Sequence, residues 1–321
     1  GGSERQLSGP LSFIAVASYR ARNRARIGRN MVDAGAPATG PSGAITLDYA
    51  APPEDLREHL SVFYEFRADV PVFEDTDKAD LAQFRVTLAG DGEYRFADGH
   101  VQRVPKIQIV GPTTGPTHIS MRGPVHSIGV GLLPAGWGTL LDFEASLLVN
   151  RVVDATELFG DDVRGAPEAL AACATFDERV MLGSALARKL IARGRSAAFD
   201  FTRVVDDWLA SPHPEVDDLV RATGLSRRQV ERRCNAYYGS PPKMLARKYR
   251  ALKATIAIAR GQSNADALLD GGFYDQSHFI REIKAFTGVT PTRIQEDLPT
   301  LATLTLKRTE FTELGPLVTD V

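Results

Sequence analysis

Residues 224–242 read GLSRRQVERRCNAYYGSPP, and residues 272–291 read GFYDQSHFIREIKAFTGVTP. The second stretch repeats the plan of the first. With Ser226 set against Asp275, an offset of 49, Arg227, Arg228 and Gln229 face Gln276, Ser277 and His278. Val230, Cys234 and Tyr237 then face Phe279, Ile283 and Phe286, and Arg232 faces Arg281. Each copy closes in Gly-x-x-Pro, Gly239 to Pro242 and Gly288 to Pro291. The turn glycines Gly224 and Gly272 are offset by 48, so the second turn is one residue longer.

The repeat has a mechanical reading. A short helix precedes each copy, with Val216, Leu219 and Val220 apolar in the first and Ala265, Leu268 and Leu269 in the second. A glycine then turns the chain where positive φ costs little. Ser226 or Asp275 is placed to cap the next helix. That helix buries one face at i, i+4, i+7, which is 230, 234, 237 and 279, 283, 286. Helix, tight turn, second helix is an arrangement whose second helix can enter a DNA major groove.

The buried positions fix the exposed ones. Arg228 and Arg232 lie one turn apart outside, as do Ser277 and Arg281, with Gln276 and His278 alongside. Arginine can pair with guanine O6 and N7, and glutamine with adenine. Arg227, Arg233 and Lys243 are candidates for phosphate, which contributes affinity without sequence information. The caps Ser226 and Asp275 and their helix N-termini also suit a phosphate. Between the copies, residues 243–260 read as one helix, roughly 27 Å long. That length can hold two reading helices about one DNA turn apart.

Charge is distributed in the same sense. Residues 31–200 carry 15 basic against 24 acidic side chains, net −9, and residues 201–298 carry 15 against 12, net +3. Residues 221–253 hold ten basic side chains and one acidic, Glu231. An acidic part joined to a basic stripe points to a regulatory domain beside a polyanion-binding one, the plain alternative being a solvated charged helix.

The N-terminal part reads differently. Residues 62–66, 83–88, 94–96, 107–110, 118–121 and 127–130 are strand-like, and residues 53–60 read as a short helix. Turn signals separate the strands at 90–92, 97–99, 111–112 and 123–124, which predicts an antiparallel sheet or small barrel. Helical patterns follow at 140–141, 147–148 and 168–193, and from 200 to 298 the pattern is wholly helical. Residues 301–306 (LATLTL) are strand-like. The expected organisation is therefore a flexible arm at 1–43, an α+β sensor or dimerisation domain at 44–195, and an all-α DNA-binding domain at 196–298. Within the last, two helix-turn-helix units span about 215–238 and 264–287, and a tail occupies 299–321.

At these residues the chain resembles the AraC/XylS family of bacterial transcription regulators. GLSRRQVERR at 224–233 and GFYDQSHFIRE at 272–282 are similar to the family's two recognition helices, and GVTP at 288–291 to its closing motif. The resemblance implies sequence-specific, two-part DNA binding near promoters. It places Arg228, Glu231 and Arg232, and Gln276, Ser277, His278 and Arg281, at the DNA. Two departures stand out: Leu268 where a small alanine is usual, and Gly271 beside Gly272, which should loosen the second turn. Residues 129–136 and 152–160 more faintly resemble the sensor domain of one branch, which implies an effector-binding or dimerising role.

The other candidates are weaker. His100, His118 and His126 fall in the strand-rich part, but the sequence shows no His-x-His and no nearby acidic partner, so no metal is expected. Asp69, Glu74, Asp75, Asp77 and Asp80 read as a solvated acidic loop, and Trp137 as core. Arginines at 20, 22, 24 and 26 show one half of a cyclic-dinucleotide motif without the other. Cys173 and Cys234 make no disulfide framework. The expectation is a cytoplasmic, ligand-responsive transcription factor, with no catalytic residues, no cofactor and no membrane contact. Its partners would be double-stranded DNA, a small-molecule effector, RNA polymerase and a second copy in a homodimer. The alternatives are a constitutive DNA-binding regulator whose N-terminal domain only dimerises, and a metal-binding barrel enzyme with a helical accessory domain.

Overall fold

Eight strands of the N-terminal part form one antiparallel sheet, ordered β1-β2-β7-β4-β6-β8, with β3 added on β7 and β5 on β4. They are β1 Ile45–Ala50, β2 Leu60–Ala68, β3 Val72–Asp77, β4 Ala82–Arg95, β5 Val101–Arg103, β6 Ile107–Val110, β7 Thr117–Leu132 and β8 Val152–Asp154. The computed structural model describes residues 45–195, 198–263, 266, 272–311, 314–315 and 317. Readings that fall on the arm and its arginines, and on Ala265, Leu268, Leu269 and Gly271, lie outside these residues.

Two turn signals prove to be bends inside long strands. β4 and β7 pair along nearly their whole length, with register shifts at Thr87/Ala89 and Ala89/Asp91. Gly90 sits at the shift with φ +86°, where an added Cβ would come 2.9 Å from the Arg122 carbonyl. Opposite it lies the cis Gly123–Pro124 bond. A bulge inserts a residue and bends its strand, so glycines that look like turns between short strands instead curve two long ones. β7 consequently pairs with β3 through 117–122 and with β2 through 125–132.

The acidic run is also not a loop. Val72–Asp77 is strand β3, paired with β7, and Asp80 is buried. LATLTL is not a strand but part of a helix, Thr300–Thr305, with Leu301 and Thr305 buried one turn apart.

The sheet has two apolar faces. One carries Phe63, Val86, Ile109, Ile128 and Val130 against helices α1 (Pro134–Leu140) and α5 (Phe176–Ile191). Short helices α2 (Ala155–Phe159), α3 (Asp161–Arg164) and α4 (Ala166–Ala172) complete that layer. Trp137 is core there, 1% exposed, with its indole N–H donating to the Phe143 carbonyl. The other face gathers Leu47, Phe66, Phe73, Tyr94, Ile119 and Met121, together with Leu301.

From 199 to 296 the described residues are helical, as the pattern predicts: α6 (Phe199–Ala210), α7 (Val216–Thr223), α8 (Arg227–Tyr238), α9 (Pro242–Ala259), α10 (Gln276–Thr287) and α11 (Pro291–Glu296), with α12 (Thr300–Thr305) beyond them. A 3-10 turn, Leu306–Glu310, follows. Sheet and helices pack as one unit over 43–321. Among the described residues no helix is long and apolar enough to cross a membrane.

Candidate nucleic-acid interface and internal cavity

The first unit is α7, a turn and α8. Gly224 ends α7 at φ +64°, and Ser226 caps α8 by accepting from the Gln229 N–H. Gln229 returns the bond, its side-chain oxygen accepting from the Ser226 N–H at 2.9 Å. This capping box closes two otherwise open backbone donors and commits Gln229 to the turn. Leu219, Val230 and Cys234 are fully buried and hold the two helices together. The third buried position is Tyr238, not Tyr237, which is only half-buried. The spacing is i, i+4, i+8, because α8 leans on α6 through the Tyr238 hydroxyl, which bonds Asp206 and the Thr202 carbonyl.

The outer face of α8 presents Arg228, Glu231 and Arg232, all exposed. Arg227 is exposed but turns back to pair with Asp217, and Arg233 lies over the Phe201 ring at 5.4 Å. Arg228 and Arg232 are therefore the pair one helical turn apart on the open face.

The turn and second helix of the second unit repeat those of the first. Gly272 has φ +61°, and Asp275 caps α10 by accepting from the His278 N–H at 2.7 Å. Phe279, Ile283 and Phe286 are buried as the period predicts. Gln276, Ser277 and Arg281 are exposed. His278 is half-buried, its ring 5.9 Å from Phe273 and its Nδ1 accepting from the Tyr274 N–H, so it shapes the turn.

α9 joins the units, and much of the basic stripe belongs to its packing. Arg247 makes a two-pronged bond to buried Glu282 of α10, at 2.7 and 2.9 Å. Lys253 donates to the carbonyls of Leu209 and Ala210 at the end of α6. Arg250 lies 5.9 Å from the Phe273 ring, and Lys248 is buried. Only Lys243 of this helix's basic residues is fully exposed.

A cavity of about 70 Å³ lies inside the bent sheet. At its polar end Arg85 donates to the Tyr64 hydroxyl (2.7 Å), the Tyr94 hydroxyl (2.6 Å) and the Gln83 side-chain oxygen (2.6 Å). Burial pushes the Tyr64 phenol up to about 12. Asp77 and Asp80 also line the cavity. Burial opposes the Asp80 charge, but Arg308 and Lys78 outweigh it and hold this carboxyl well below the usual range. Arg308 reaches Asp80 with two hydrogen bonds, at 2.9 and 3.2 Å.

The loop bearing Asp80 touches the DNA-binding part directly. Lys248 of α9 donates to the carbonyls of Asp80 and Thr113, and the Ala79 N–H donates to the Phe286 carbonyl of α10 at 2.7 Å. Ala79 is buried in the core cluster of the second unit. Sequence reasoning missed this junction, since its partners lie more than 130 residues apart in every pair.

The histidines hold no such cluster. His126 does have an acidic neighbour, Glu65, at 2.6 Å, which the sequence hid because the strands pair across 61 residues. Glu65 also bonds Arg179 at 3.2 Å, so the group is an ion network. Among the described residues no three metal-ligating side chains come together.

Residues 219–297 match the family described as a helix-turn-helix domain. This C-terminal part is thus a helix-turn-helix domain of the AraC type, a domain of DNA-binding transcription regulators. Among solved structures, ToxT from Vibrio cholerae shares 10% identity at a TM-score of 0.43, over 73% of this chain and 97% of that one. ToxT bound to an unsaturated fatty acid gives 11% and 0.42, over 73% and 94%. The AraC-like transcriptional activator CuxR gives 16% and 0.32, over 79% and 95%. Among curated proteins none matches. The helix-turn-helix match points to a transcription regulator.

Proposed function

We propose that residues 196–298 read two successive major-groove segments and that residues 44–195 sense a small molecule that adjusts this reading. The tail, 299–321, lies outside both readers. Arg228 and Arg232 of α8, with Glu231 between them, address the bases of one half-site. Gln276, Ser277 and Arg281 of α10 address the other, with His278 steadying the turn. Arg227, Arg233 and Lys243 reach phosphates, Arg227 after exchanging Asp217 for the DNA. Ser226, Gln229 and Asp275 set the helix N-termini, where backbone N–H groups favour a phosphate oxygen.

The observation that carries the sensing role is the shared loop. Asp77 and Asp80 line the cavity, while Ala79 and Asp80 bond α10 and α9. A ligand that favours one arrangement of this loop shifts the population of reader positions by its differential affinity. A homodimer, a contact with RNA polymerase and a cytoplasmic location fit this reading.

The test is selection of bound sequences from random duplex DNA by the full chain at near-physiological salt. A two-part site with halves about one helical turn apart is expected. A single short half-site would remove α10 from the reading. Binding without any sequence enrichment and without salt dependence would overturn it altogether.

A further inference from the structure

The chain does not end its structural work at the second reader. After α11 it runs back to the sheet, and α12 with the following turn lies across the cavity. Leu301 is buried among Leu47, Phe66, Phe73 and Met121, and its N–H donates to Asp75 at 2.8 Å. Arg308 forms the two-pronged bond to Asp80, with both side chains 7% exposed. Phe311 sets its ring against Tyr49 at 6.4 Å. Leu301, Thr305 and Arg308 are themselves part of the cavity wall.

Size decides what this means. Small-molecule sites enclose about 300–1,000 Å³, and the cavity with this segment in place offers about 70 Å³. An effector of ordinary size needs the space that the segment fills. A six-residue helix has almost no stability of its own, so its contacts alone hold α12 in place.

We propose that residues 299–311 are a strap that occupies the effector site, and that the effector is an apolar cation which replaces it. This rests on reading the cavity as the sensory site. The charge argument is direct. When Arg308 leaves, the buried Asp80 carboxylate loses its two-pronged partner. Asp80 keeps Lys78 beside it and hydrogen bonds from the Leu81 N–H and the Gln83 side chain, but the two-pronged donor is gone, and a planar amidinium or guanidinium on an aromatic or aliphatic body restores both of its hydrogen bonds. The body takes the place of Leu301 among the aromatic and aliphatic side chains. Asp80 also accepts from Lys248 through its carbonyl, so exchange of strap for ligand is felt at α9.

Benzamidine, with benzoate as its opposite-charge counterpart, tests this by calorimetry on the full chain. Arg308→Ala should bind benzamidine at least tenfold more tightly than the unaltered chain and should not bind benzoate. Equal benzamidine affinity in the two chains, no binding to the variant, or equal affinity for benzoate would overturn the proposal. If Arg308→Ala does not fold, hydrogen exchange of the unaltered chain decides. Saturating benzamidine should speed exchange of the 301–305 amides and leave those of β4 unchanged, and unchanged 301–305 amides would sink the strap. DNA affinity measured alongside separates the two readings. A strap released by benzamidine without any change in DNA affinity would refute the sensory role and leave the strap standing. A strap that does not move would do the reverse.

Discussion

The ammonium of Lys248 lies 2.6 Å from the backbone carbonyl of Asp80, 168 residues away in sequence. It fixes the helix between the two readers to the rim of the internal cavity. Burial pushes the Lys248 amine down to about 7, against the pull of Asp80. Lys248→Met should leave the Asp80 and Thr113 carbonyls without their donor. A loss of about 1–3 kcal/mol is expected in urea unfolding, with faster exchange of the Ala79 amide. An unchanged midpoint and unchanged exchange would show that the contact holds nothing.

Arg232 stands on the open face of α8. Arg232→Ala should cost roughly 1–3 kcal/mol of specific binding and relax choice at one base. Lys243→Ala should weaken all sequences alike and lower the salt slope by about one. Selection profiles of the two variants check the contrast. If Arg232→Ala weakens every sequence equally, its contact is with phosphate.

The two turn glycines should respond differently. Gly224 and Gly272 both have positive φ, but a Cβ on Gly224 meets nothing within 4 Å, while one on Gly272 comes 2.8 Å from His213 Nδ1. Gly224→Ala should cost only the left-handed backbone penalty of about 1–2 kcal/mol. Gly272→Val adds a clash and β-branching, so binding to the second half-site should be lost while the first is kept. Equal loss at both half-sites would contradict the separate turns.

Asp206 supplies a pH dependence. Burial raises its carboxyl to about 7, with the Tyr238 bond opposing. The folded state therefore holds this proton more tightly than the unfolded chain does. The stabilisation is present in full below about pH 4 and is lost as pH rises through 7, at no more than about 1.4 kcal/mol per unit. Asp206→Asn cannot titrate, so its unfolding midpoint should fall less between pH 5 and pH 8. Parallel curves for the two chains would refute the raised carboxyl.

The helical half was legible because its rules are local. Caps, turn glycines and a 3.6-residue period sit within about 20 residues, and all of them recur in the second copy. Tyr237 for Tyr238 is a phase error of one residue on a helix where both positions are aromatic. The sheet was legible only as strand-rich. Gly90 and Gly123 carry the composition of turns, and nothing local says that they bend strands already paired on both sides. The acidic run was misread because its partners are distant: β3 pairs with β7 at least 40 residues on, and buried Asp80 finds Arg308 from 228 residues away. LATLTL fits a two-residue and a helical period alike, and only burial of Leu301 and Thr305 decides between them.

The unbroken α9 has a consequence for DNA. Each residue of an α-helix adds about 1.5 Å and about 100° of rotation, so the 18 residues of α9 set distance and phase together. Arg247, in its second turn, and Glu282 lock the helix to α10. One base pair inserted between half-sites turns one of them by about 34°, at roughly 10.5 base pairs per turn. The operators this protein serves should therefore conserve the spacing between their halves more strictly than the letters within them.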